Sequence, residues 1–144
     1  MNATNSETRN RFGHKRLGRR GSATLELGLT LLLLLWVTFG TIEFGQYFYI
    51  KNQLQGAARE GARAGVPQGA VSTDITTAVS NVMTLAGLPA SKYTVTQSGV
   101  SGSTGSLVTV TVKCTWSQIN SGFSVFSFIG GSKQVTGSAI MRKE

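Results

Sequence analysis

The chain has 144 residues and a net charge of +8, from 14 Lys and Arg against 6 Asp and Glu, with one cysteine and one histidine. That length leaves room for one small domain beside any membrane segment. A lone Cys114 excludes an internal disulfide, and a lone His14 near the start excludes a Ser-His-Asp, Cys-His or His-bearing metal site in the rest of the chain.

Residues 1–21 carry Arg9, Arg11, Lys15, Arg16, Arg19 and Arg20 against Glu7, a net of +5, whereas the remaining residues carry +3. The excess therefore belongs to a leader, where a basic flank sets membrane topology. Aromatic residues are nearly absent from it, so nucleic acid is not an expected partner. Residues 1–18 read as a cytoplasmic tail without fixed structure.

At Gly21-Ser22-Ala23 the sequence turns apolar at once. From 23 to 42 it is almost wholly Leu, Val, Ile, Phe, Trp, Ala, Gly and Thr, with one carboxylate, Glu26. Twenty helical residues span about 30 Å, the thickness of a bilayer core. The positive-inside rule leaves the N-terminus in the cytosol and sends the remainder outward. Glu43 marks the far boundary, and Phe44, Tyr47, Phe48 and Tyr49 sit where an interfacial aromatic belt is expected. Competing readings are a cleaved secretory signal cut near residues 38–40 and a twin-arginine export signal; the apolar region is longer than a signal core, and Arg19-Arg20 lacks the surrounding export pattern.

Helical character continues without proline to Pro67, which predicts one helix over 22–64. Ala57, Gly61 and Gly65 recur every fourth residue as a helix-packing stripe of small side chains. An interior Gly costs about 1 kcal/mol relative to Ala, so close approach of another helix or a sheet is the expected compensation. Glu60 and Arg63 are spaced as a surface pair worth little.

A second helix is expected over 70–86. Its apolar face is Val71, Ile75, Val79, Val82, Met83 and Leu85-Ala86, Asp74 lies in its first turn, and Gly87 and Pro89 stop it. Residues 93–96 alternate as a strand, and 98–106 are a Gly/Ser-rich loop. Residues 107–116 form the clearest strand, with Val108, Val110, Val112, Cys114 and Trp116 on one face. Cys114 is accordingly a buried thiol, with a disulfide between subunits as its rival. Residues 119–129 read as an apolar lid over the core, with a loop or short helix dipping at the membrane surface as the alternative, and 134–141 as a last strand with Val135, Gly137, Ala139 and Met141 alternating. The expected fold is α+β: a basic leader 1–21, a membrane-spanning helix continuing outside the membrane over 22–66, and a small exported domain over 67–144 with a second helix and an antiparallel sheet of about three strands.

Gly21 offers an unhindered residue at the edge of leader and apolar helix, as a peptidase working at the membrane's cytoplasmic face requires. Cleavage there makes Ser22 the new N-terminus and Glu26 the fifth residue. A carboxylate inside lipid costs about 2.5–3.5 kcal/mol on insertion scales, a cost relieved if it meets the new amine of a neighbouring subunit.

Gly21-Ser22-Ala23-Thr24-Leu25-Glu26-Leu27 resembles the prepilin-type signal of type IV pilins. With Ile42-Glu43-Phe44-Gly45, the block from Ala57 to Ala64 and the ending from Ala139 to Glu144, the chain is similar to the TadE-like pseudopilins of tight-adherence (Flp-type) pilus systems. Leu27 stands where that family often has an aromatic residue. The resemblance implies a bacterial inner-membrane protein, single-pass, with its leader removed by an aspartic prepilin peptidase and Ser22 as a site of N-methylation. Its partners would be that peptidase, other pilins and the pilus assembly platform. It would have no enzyme activity, cofactor, metal or small-molecule substrate, and would serve attachment or secretion in the membrane or the filament. The alternative is a signal-anchored binding or adhesion domain whose leader stays attached.

Overall fold

The computed structural model describes residues 19–119 and 133–144. Helix α1 runs Arg19–Ala64, starting three residues ahead of the expected Ser22 and ending where expected. Helix α2 is Ser72–Leu85 and leads through a 3-10 turn, Ala90–Lys92, into strand β1, Tyr93–Ser98. Strand β2 is Leu107–Thr115, a short helix α3 is Trp116–Ile119, and strand β3 is Gln134–Arg142. The α+β reading holds: the sheet is antiparallel, in the order β1-β2-β3. The expected lid lies, from residue 120 on, outside the described residues.

The chain divides into two units, 1–35 and 36–144, with the boundary inside α1. In the first unit every side chain from Gly21 to Leu35 is exposed. Thr30 turns its hydroxyl back to the Glu26 carbonyl at 2.8 Å, so this polar group leaves no unsatisfied donor on an apolar helix. Among the described residues one helical stretch, Gly21–Ala64, is long and apolar enough to cross a membrane.

The second unit holds the core. Val108, Val110 and Val112 are fully buried, with Cys114 beside them. The strict alternation of β2 puts Thr109, Thr111, Lys113 and Thr115 on the opposite face. Trp116 is buried although the strand stops one residue earlier, because its ring packs 5.7 Å from that of Tyr47. On the other side of the core, Leu54, Ala57, Ala58 and Ala62 of α1 meet Ile75, Val79 and Met83 of α2.

Helix α2, expected over 70–86, keeps Ile75, Val79 and Met83 on its buried face, but Val71 precedes the helix and is 54% exposed, and Leu85 does not belong to that face and is 90% exposed. At 100° per residue it points well away from Met83. Asp74 accepts the Val71 N–H at 3.0 Å and starts the helix. At the other end Leu88 N–H reaches Met83 O at 2.9 Å and Gly87 N–H reaches Thr84 O at 3.0 Å. This double bond pattern needs a left-handed residue, and Gly87 has φ +75°.

Candidate functional site: the exposed length of helix α1

The residues that carry the sequence-level chemistry lie on α1. Gly21, Ser22 and Glu26 are all exposed, with Ser22 and Glu26 four residues apart and so on one side of the helix. Leu25, Leu27 and Leu29 around them are 77%, 66% and 72% exposed. In water so large an uncovered apolar surface is unfavourable; lipid or other helices must cover it. The Gly21–Ser22 bond falls in the first turn of α1, and Gly is a poor helix former.

Further along, in the second unit, Trp36, Val37, Gly40, Thr41 and Phe44 enclose an apolar notch of about 460 Å³ on the helix surface. Phe44 and Phe48 lie 6.2 Å apart, and Tyr47 meets Phe48 edge-on at 5.6 Å. From Ile50 onward the character changes, and one face of α1 becomes core.

The small-residue stripe lies on that face. Ala57 is fully buried, and a Cβ built at Gly61 would stand 2.7 Å from Val79 Cγ2 and 3.3 Å from Val110 Cγ1. At Gly65 it would stand 2.9 Å from Ile75 Cδ1 and from Val108 Cγ1. The glycines therefore admit both α2 and the sheet, within this chain. Ile75 at Gly65 and Val79 at Gly61 also make α2 antiparallel to α1.

Gln55 carries a contact that its polarity concealed. Its Nε2 donates to Ser138 O at 2.6 Å and its Oε1 accepts Ser138 N–H at 3.2 Å, so one side-chain amide pairs with the outer edge of β3 like a strand residue. Next to it Gly137 touches the α1 backbone: a Cβ there would lie 2.4 Å from Leu54 C. The tail is fixed as well. Lys143, buried, donates to Val100 O, and Gln68 Nε2 donates to Glu144 O at 3.0 Å and to the Thr104 hydroxyl. The sequence holds no local signal for these contacts, because their partners lie tens of residues away.

Glu60 and Arg63 do pair, at 2.8 Å, and both are well exposed. Burial pushes the Cys114 thiol up to about 11, and its Sγ points to Val135 O at 3.8 Å. Burial also raises Tyr93, its cross-strand neighbour. Among the described residues no three His, Cys, Asp or Glu side chains gather as metal ligands.

Residues 21–63 match the family model described as TadE-like protein. The segment is TadE-like. The match begins at the glycine singled out as the cut site and runs through the exposed length of α1 into the packed block that ends at Arg63. It associates the chain with tight-adherence pilus components, and the apolar α1 fits a single-pass membrane anchor. No curated protein and no solved structure gives a significant match.

Proposed function

We propose that this TadE-like chain is a minor pilin or pseudopilin in the assembly of a tight-adherence pilus, serving surface attachment or secretion. It is made with a leader, residues 1–21, on the cytosolic side of the bacterial inner membrane, and its C-terminal domain lies outside. A prepilin peptidase cuts after Gly21. The amine of Ser22 on one subunit then meets Glu26 of the next, drawing the apolar helices together and onto the assembly platform. The role is structural, without catalysis or cofactor. The observation that carries this reading is the coincidence of the TadE-like match with the apolar helix, both present from Gly21 onward.

Mass spectrometry of the protein isolated from cells tests it. The expected mature chain begins at Ser22, and Gly21→Ala accumulates the full-length precursor. A native chain retaining residues 1–20 would instead make this a signal-anchored domain.

A further inference from the structure

Residues 36–144 contain eight basic and four acidic side chains, and they are not evenly placed. In the sheet, Tyr93 at the start of β1 is level with Cys114 near the end of β2, and Cys114 is level with Val135 near the start of β3. Lys92 immediately precedes that row and Lys113 immediately follows it, opposite Thr94 and Thr136. Lys133 reaches the same end, since its carbonyl accepts the Trp116 N–H at 2.9 Å. The Trp116 ring lies on Tyr47 of α1, and Lys51 is one turn beyond Tyr47. Four lysines thus gather at one end of the unit, with Glu43 as the one acid near it. The remaining Arg59, Arg63, Arg142 and Lys143 stand against Glu60, Asp74 and Glu144, a net of +1, with Arg63 and Glu60 in an ion pair.

Apolar surface is exposed at the same end. Phe48 and Tyr49 are 56% and 52% exposed. Helix α1 is unbroken from Trp36 through this region. Tyr47 therefore follows the end of the apolar run at Ile42 by five residues, about 7 Å, which is the depth of a headgroup layer. No spacer separates the apolar helix from the lysine-bearing end.

We propose that this end of the unit docks on an anionic lipid leaflet, with Lys51, Lys92, Lys113 and Lys133 on the headgroups and Phe48 and Tyr49 in the interface. The docking rests on α1 being a membrane anchor. Lysines at an anionic surface gain from its potential, and amphipathic aromatic side chains prefer that depth. Among the described residues none of the four lysines enters an ion pair that would compete.

The full-length chain, reconstituted in nanodiscs of phosphatidylcholine alone or of a mixture rich in phosphatidylglycerol, tests this. A membrane-impermeant acetylating reagent is applied, and each lysine is followed by peptide mass spectrometry. In the anionic discs the four lysines should react about fivefold more slowly, the scale of one lysine's attraction to such a surface. High salt should restore the rate by screening. Lys92→Glu together with Lys133→Glu should speed the reaction of Lys51 and Lys113 in the anionic discs. Equal rates in the two lipids would overturn the docking while leaving the anchor intact. So would slow, salt-insensitive rates in both, which would mark a protein-covered face. A chain that fails to co-purify with discs of either lipid would overturn the anchor reading itself.

Discussion

At Gly137 strand β3 and helix α1 meet backbone to backbone. A methyl group there would meet the carbonyl carbon and oxygen of Leu54 and the nitrogen of Gln55, at 2.4, 2.5 and 2.6 Å. Those atoms are backbone, so no rotamer change relieves the clash; α1 and β3 must separate, and the two Gln55–Ser138 hydrogen bonds stretch with them. Gly137→Ala should therefore cost about 3 kcal/mol of stability. Gly56 is the opposite case. It is helical and exposed, with open space where its Cβ would stand, so Gly56→Ala should gain up to about 1 kcal/mol from helix propensity alone. Denaturant unfolding of the detergent-solubilised chain should place the two variants on opposite sides of the parent. If Gly137→Ala matched the parent, the close contact between α1 and β3 would be wrong.

Among the elements, β2 and α2 were legible because each buries one face and shows the other, so period two and period 3.6 stand out in the residue types. Leu85 departs from the expected face because an adjacent pair of apolar residues, Leu85-Ala86, spans 100° of helix and only Ala86 packs against the core with Met83. Trp116 continues the alternation of β2 but lies one residue past the strand; it is buried by an aromatic partner on α1 that alternation does not reveal. Gln55 and Lys143 carried no local signal, since each is fixed by backbone far away in sequence. The buried row shared by Tyr93 and Cys114 also makes a prediction. Both groups titrate higher in the folded chain because burial disfavours their anions. Above pH 9 the unfolded chain loses the Cys114 proton while the folded chain keeps it to about 11, so fewer protons are bound in the unfolded state and stability falls as pH rises through this window. Unfolding midpoints measured from pH 8 upward should drop, and Cys114→Ala should flatten part of the drop. A parent curve with no slope above pH 9 would mean that the thiol is not buried.

At the scale of the whole molecule, α1 has two characters in one continuous helix. Up to Trp36 its apolar side chains are exposed on every side, and from Ile50 onward one face is sealed against α2 and the sheet. Composition alone separates the two: leucines, five of them consecutive over 31–35, in the first, small residues at every fourth position in the second. Glu26 belongs entirely to the first. It lies in the unit 1–35, whereas the buried residues of the core all come from 36–144. Replacing it should therefore leave the folded domain unchanged. Insertion should be no worse either, because an ionised carboxylate opposes transfer into lipid by about 2.5–3.5 kcal/mol. If Glu26 is kept for the amine of a neighbouring subunit, its loss appears only where subunits meet. Glu26→Ala should give wild-type levels of membrane-bound protein, an unaltered unfolding midpoint and leader removal at Gly21, together with a several-fold fall in surface pili and in co-isolation with partner pilins. Normal pilus numbers would show that the carboxylate has no part in assembly. Loss of protein from the membrane would show that it acts in insertion or folding, which its exposure on an uncovered helix argues against.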